Sequence, residues 1–486
     1  MSVSLTKHPL KNHMPPLVSP RLMEDCGLAA ELAPFLEDAG AYLTADPEAI
    51  GERAAILRLL LDDAALLDAL SALKMKLDEL EAVRRSGEAD PMRVLDNLRI
   101  FPEVQTALQN TADTMSALPP GSALSEPLDT LRGCIPTLFP SDLPSFFTEH
   151  LPERPVAVSY RLRLDDECRL SSVALTEMHG ERFRKPGLFS QEARRLLCPP
   201  ISCQPDDRNA VNGRTGLSEQ QVLKMVCDRL LVSHTAQGKK QIDRQAFRIL
   251  QALSPLHEQL AFFIGAAAFI RTRLTRGHCF ADCRPADEGV FDVCGMAHPH
   301  LGHEAVGNDL CLSRAAPVAL VGGENRGGKT TFLRTAMAVQ TLFQMGLPVP
   351  AEHAALSPAE ALYCVFDRDE SRDFGQGKLG EELTQMRDAL TALNGRGFFV
   401  FNEPLTSTSP QEGTTLSQEA LCIVKLRGAR GVWVTHFFSL FDTLDALNAS
   451  LSGGTVFPLR TAGTFSIRPG IPAGSAAAKV FAEVRK

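Results

Sequence analysis

The stretch Pro317–Thr331, PVALVGGENRGGKTT, decides how the rest of the chain reads. A short apolar run, Val318 to Val321, meets a glycine-rich loop, and the loop ends in Lys329 and Thr330. A helical apolar pattern follows at Phe332, Leu333, Met337 and Leu342. Gly323, Gly328, Lys329 and Thr330 fill the Walker A pattern G-x-x-x-x-G-K-[ST], with strand and helix on the sides where that pattern needs them. The composition has a physical cause. Backbone N–H groups must close round phosphate oxygens, so bulky side chains must be absent, and the helix N-terminus adds partial positive charge. The nucleotide-binding residues expected on this reading are Gly323, Asn325, Gly327, Gly328, Lys329, Thr330 and Thr331. Lys329 reaches the β and γ phosphates of ATP, and the Thr330 hydroxyl ligates Mg²⁺.

Outward from the loop, apolar runs near Val318–Val321, Tyr363–Phe366, Phe398–Phe401 and Val432–Thr435 alternate with helical stretches. That alternation predicts an α/β domain with helices packed on a mostly parallel sheet, over 291–486. Residues 21–290 read as mainly helical, and 1–20 as a polar, proline-bearing mobile arm. Leu57, Leu60, Leu61, Ala64, Leu67 and Leu70 recur at steps of three and four, and Asp46-Pro47-Glu48 is a helix start. Met92 to Ala117 is a second helical stretch, and Leu118 to Phe147, rich in Pro, Ser and Gly, is a connection with room for short helices. Alternation around 156–175 predicts a small hairpin. Two helices follow, from Ser218 to about Thr235 and from Lys240 to Arg273, the second kinked at Pro255.

Composition narrows the classes. The net charge of −8 spreads no basic field over the molecule, so any DNA contact must be local. The twelve cysteines lack paired C-x-x-C spacing, which suits reduced thiols. The N-terminus has no apolar signal core, and the run Leu260 to Ile270 is about half of a membrane span. A cytoplasmic protein without a membrane segment is expected.

Two further strand ends carry chemistry. Phe398–Phe401 runs into Asn402-Glu403. In phosphate-loop ATPases this position holds the metal through an acid, and the next Glu handles the attacking water. Here Asn402 can reach a metal-bound water but brings no charge, so weakened Mg²⁺ binding and slow turnover are expected. Glu403 is the expected catalytic base. His436 ends the following strand, on the ligand side of a parallel sheet, and is the second expected catalytic residue.

These segments together resemble one family. GGENRGGKTTFLR is similar to the MutS-type phosphate loop, FNEPLTSTSPQEG to the acid segment that follows it, and VTHFFSL to the family's Thr-His segment. GQGKLGEELTQM stands where the family has its trans-acting loop, and PGIPAGSAAAKVFAEV resembles its C-terminal segment. Ala297-His298-Pro299, Asn308 and Leu310 match upstream, and DPEAIGERAAILRLLLDDAALLDAL and LAFFIGAAAFIRTRL are similar to parts of its helical core. The resemblance implies a MutS-like ATPase domain preceded by a mainly α-helical core and lever region. It implies a short form, without the N-terminal mismatch-reading domain.

The activity implied is that of an ATPase and DNA-binding protein of the mismatch repair family. ATP binding and slow hydrolysis would switch a homodimer on DNA, the trans-acting loop bringing Gly377, Lys378 and Glu382 to the partner's phosphates. Three departures stand out: Asn402 replaces an acid, Gly377 a serine, and Ala305 the aromatic that stacks on adenine. With Gly377 lacking a hydroxyl, Lys378 would supply the trans charge. These departures and the acidic charge also suit a nucleotide switch that acts on a protein partner with little hydrolysis. An ABC transporter ATPase fits less well, because Leu451-Ser452-Gly453-Gly454 falls after Glu403 rather than before it.

Overall fold

The computed structural model describes residues 3–85, 100–139, 157–164, 170–179, 219–302, 305–366 and 378–472. Contacts divide the chain into two compact units, one of 1–3, 68–120 and 125–257, the other of 4–67, 121–124 and 258–486. The first unit holds the helices Ile100–Ser116 and Ser125–Leu138, the latter lying in the stretch read as a connection. It also holds strands β2 (Ala157–Leu164) and β3 (Leu170–His179), an antiparallel hairpin where alternation predicted one. One helix of 57 residues, Glu219–Thr275, replaces the two helices expected. A lone Gly238 near the anticipated break costs a helix only about 1 kcal/mol, which neighbours of good helix propensity absorb.

The second unit carries the nucleotide-type fold. Its main sheet has seven strands in the order β1-β8-β9-β10-β6-β11-β12. The strands are β1 (Leu17–Val18), β6 (Val318–Gly322), β8 (Ala361–Val365), β9 (Gly397–Asn402), β10 (Arg430–Val434), β11 (Val456–Thr461) and β12 (Ile467–Pro469). All neighbours pair in parallel except β11 with β12. β6 and β10 are buried at every position, which is why they read as continuous apolar runs rather than alternating ones. One face of the sheet packs Phe399, Phe401 and Trp433 against Leu421, Val424 and Leu440. A smaller antiparallel sheet, β5 (Asn308–Leu312), β4 (Phe291–Met296) and β7 (His353–Leu356), completes the domain.

The helix Lys329–Gln344 is buried on almost every side, polar residues included. Its glutamines tie it to neighbouring segments: Gln344 donates to the carbonyls of Thr44 and Ala359, and Gln340 to that of Ser357, while Gln340 Oε1 has no partner. A helix so enclosed keeps its N-terminus, where the phosphate loop ends, in a fixed position.

The N-terminal segment departs from the mobile arm expected. Leu5 and Leu10 are buried. The Arg53 guanidinium donates to the carbonyls of Tyr42, Pro9 and Leu10 at 2.6, 3.0 and 2.8 Å. Leu17 and Val18 then join β8 as a parallel edge strand. The prolines and polar residues of this segment suggest mobility, but Arg53 and the β8 edge, distant in sequence, supply its partners. Asp46 does cap the helix Pro47–Asp62, as its motif predicts, by accepting the Glu48 N–H.

Among the described residues, Ile242–Thr275 is the one helical stretch long and apolar enough to cross a membrane. Its side chains Leu260, Phe262, Phe263, Phe269 and Ile270 are buried in the fold.

Candidate nucleotide-binding site

The ends of β6, β9 and β10 converge because the three strands are parallel neighbours in register. Val434 lies opposite both Val321 and Asn402. Each strand therefore delivers its C-terminal residues to one edge, the position at which open parallel sheets bind ligands.

From β6 the chain enters the loop with Gly323 at φ +138°, a region that L side chains rarely adopt. A Cβ on Gly323 would collide with the Thr461 side chain, and one on Gly327 would sit 2.8 Å from its methyl carbon. Thr461 in turn accepts the Glu324 N–H at 3.2 Å, so β11 forms the outer wall of the loop. Gly328 then caps the helix Lys329–Gln344 in a left-handed conformation. Lys329 is only 6% exposed. Its ammonium donates to the carbonyls of Gly323 at 3.0 Å and Glu324 at 3.2 Å, and to Asn325 Oδ1 at 3.5 Å. The backbone of a glycine-rich loop, a helix N-terminus and a cation thus meet in a cradle that side chains at Gly323 and Gly327 would fill. This fits a polyphosphate.

Thr330 donates to Asn402 Oδ1 at 3.2 Å, so the hydroxyl and the amide oxygen are adjacent. These are oxygen donors of the type that suits Mg²⁺, though they carry no charge. Glu403 follows at φ +48°, an uncommon conformation for a residue other than glycine. Its N–H donates to the Val434 carbonyl at 2.9 Å, which pins the turn. The carboxylate lies 3.5 Å from the Lys329 ammonium. Strain held by a hydrogen bond at a strand end is a mark of functional positions. His436 is exposed beyond β10, its ring 4.1 Å from that of Phe437. Thr331 is exposed beside Thr330.

The residues of the expected trans-acting loop fare differently. Gly377 lies outside the described residues, and Lys378 opens the helix Lys378–Ala392. Glu382 is engaged within its own chain: it accepts from the Ser407 hydroxyl at 2.7 Å and from Thr406 Oγ1 at 3.3 Å. It therefore supports the turn that follows Glu403.

Two wall residues escaped sequence reading. Thr461 is one, because its contact with the loop spans more than a hundred residues. Phe465 is the other: 58% exposed, at φ +58°, with its carbonyl accepting from Asn308 Nδ2 at 3.1 Å. It borders a cavity of about 280 Å³ with Ala305, Val306, Thr331 and Phe332. An aromatic thus stands beside the very cavity where Ala305 offers none.

His298 lines the same cavity and is 5% exposed. Its Nδ1 accepts the His300 N–H at 3.2 Å, which leaves Nε2–H to donate to the Cys26 carbonyl at 2.7 Å. Burial lowers its pKa below the ordinary value, against the opposing pull of the Cys26 carbonyl. The unfolded chain consequently takes up the proton first as pH falls. Stability is full above about pH 6.5 and declines below it, by at most ~1.4 kcal/mol per pH unit for this residue. Thermal unfolding midpoints should therefore drop between neutral and mildly acidic pH, and His298→Gln should flatten that dependence. A residual slope is expected from His278, which burial shifts the same way. Identical slopes in the two proteins would refute the assignment.

The strand order, the loop and the cradle together define a phosphate-loop NTPase fold. Residues 319–453 match the family model described as MutS domain V. That region is thus similar to the corresponding domain of MutS proteins. It is 26% identical over 277 residues to endonuclease MutS2 of Ligilactobacillus salivarius, an alignment covering 54% of this chain and 34% of that protein. Endonuclease MutS2 of Listeria monocytogenes serotype 4a is 26% identical over 252 residues, 49% of this chain and 32% of the relative. That of Clostridium perfringens strain SM101 is 28% identical over 200 residues, 40% and 25%. The matched region thus spans about a third or less of the length of these relatives.

Proposed function

We propose that the chain is an ATP-driven switch that acts on DNA, binding ATP at Gly323–Thr331 and hydrolysing it slowly as a homodimer. The observation that carries this reading is the Lys329 ammonium, buried in a glycine-walled cradle beside the Thr330–Asn402 pair. The phosphates take the place of the loop carbonyls around Lys329, and the cavity edged by Phe465 receives the base. Thr330 and Asn402 would hold Mg²⁺, which would supply positive charge to offset that of the phosphates. Glu403 accepts a proton from water as the water oxygen bonds to the γ phosphorus, and the bond to the bridging oxygen breaks toward ADP. His436 orients that water from the neighbouring strand end. The neutral Asn402 weakens the hold on the metal, so turnover is slow.

In the dimer, Lys378 contributes positive charge across the interface. ATP shifts the population of dimer arrangements because it binds one of them more tightly. DNA as the partner is supported by the family and by relatives whose name, endonuclease MutS2, denotes action on nucleic acid. The test is binding of linear, branched and mismatched DNA with and without ATP, across a salt series. Affinity for DNA should change with ATP and fall steeply as salt rises. No binding at low salt, with ATP present or absent, would sink the DNA reading. The acidic net charge of −8 would then favour a protein partner.

A further inference from the structure

Apart from the nucleotide site, one cluster of ligating side chains stands out among the described residues: His8, His13 and Asp46, whose donor atoms all lie within 4.8 Å of one another. The cluster is built around a fixed carboxylate. Asp46 caps the helix Pro47–Asp62, and its Oδ1 accepts the Glu48 N–H at 2.9 Å. The Asp46 N–H donates to Thr44 Oγ1 at 3.1 Å. The bond to Oδ1 sets the rotation of the carboxylate and leaves Oδ2 facing the imidazoles. His13 Nε2 lies 2.7 Å from that oxygen, and His8 Nδ1 lies 3.6 Å from it. The two rings are 5.0 Å apart and tilted by 42°, so they converge on the oxygen rather than stack.

We propose that His8, His13 and Asp46 bind a divalent transition-metal ion of the zinc type, which staples residues 8–13 to the start of the helix Pro47–Asp62. An ordinary ion pair accounts for His13 but not for a second imidazole directed at the same carboxylate oxygen. A cation between the three donors removes the competition. Two imidazole nitrogens and one carboxylate oxygen are a zinc donor set, while Ca²⁺ and Mg²⁺ prefer oxygen alone. Tetrahedral ligands at zinc distances stand about 3.4 Å from one another. The present separations, 2.7 and 3.6 Å to Asp46 within an outer limit of 4.8 Å, bracket that spacing.

Supporting partners are also in place. Glu48 Oε2 lies 4.0 Å from His8 Nε2, the nitrogen left over when Nδ1 ligates. A metal-bound histidine commonly donates its other N–H to such a carboxylate. Arg53, from the same helix, holds the carbonyls of Pro9 and Leu10, which lie between the two histidines in the chain. The loop is thus tethered near the helix before any ion arrives, and three protein ligands leave one position open for water.

The experiment uses the full chain without a polyhistidine tag, stripped with a chelator and titrated with Zn²⁺ alone. Exposed thiols at Cys279, Cys294 and Cys311 can also take zinc, so the quantity read is the difference from a His8→Gln/His13→Gln variant. The native chain should bind one more zinc ion per chain than the variant. Zinc should slow amide exchange over residues 8–14 in the native chain and not in the variant. Asp46→Asn keeps an oxygen for the Glu48 N–H, so the cap survives. It should nonetheless bind this ion at least ~10-fold more weakly, having lost the anionic ligand. Nucleotide binding should be unchanged in all three proteins, which separates this test from that of the ATP site. Equal zinc stoichiometry in native and doubly substituted chains, or zinc-independent exchange over residues 8–14, would overturn the proposal.

Discussion

Lys329→Ala is expected to bind ATP roughly 10- to 150-fold more weakly than the native chain while remaining folded. The range corresponds to losing a hydrogen bond to a charged group, about 1.5–3 kcal/mol. Turnover should fall further, by about 10²- to 10³-fold, the usual loss when one donor to a developing charge is removed. The structure makes the prediction specific. The ammonium has no exposed alternative function, being 6% exposed and bonded to the Gly323 and Glu324 carbonyls of its own loop. Its removal leaves those carbonyls to water and to the incoming phosphates, which they repel. Isothermal titration with ATP, beside circular dichroism to verify folding, measures the effect. Native-like affinity in the folded variant would mean that nucleotide does not occupy this cradle.

The second large effect falls on a different step. Glu403→Gln should leave ATP affinity within a few-fold of native and lower turnover by roughly 10²- to 10⁴-fold, the contribution of a positioned general base. The amide keeps the size of the side chain, and the main-chain bond from Glu403 to Val434 is untouched, so the turn should persist. The separation of binding from turnover is the decisive feature. A Lys329 variant fails at the first, whereas a Glu403 variant holds ATP without cleaving it. Single-turnover release of labelled phosphate reads it directly. If both variants and the native chain released phosphate at one rate, the activity would come from a contaminant.

The candidate site was legible in the sequence because its chemistry is compressed. Gly323–Thr331, Asn402-Glu403 and Thr435-His436 are each a short run at the end of an apolar strand, and parallel register brings three such ends together without further information. Residues that act across long separations gave no such signal. Thr461 walls the loop from another strand, and Phe465 reaches the cavity through a left-handed turn that no motif marks. Glu382 matched a segment of the family, yet its hydrogen bonds go to Ser407 and Thr406. A motif records which residue is present, while its partner is set by packing. The helix Glu219–Thr275 shows the reverse problem. A break was expected between about Thr235 and Lys240, and the helix runs through it.

The docking of residues 5–18 bears on how the protein can be handled. β1 is only two residues long, yet it occupies the outer edge of β8. Trimming the chain at residue 21, as its proline-bearing start invites, would strip that edge of its neighbour and leave the Arg53 guanidinium without two of its three carbonyls. An unpaired strand edge in a sheet this apolar is a template for other chains. A shortened protein that precipitates or self-associates would then report a missing internal seal rather than a natural oligomer.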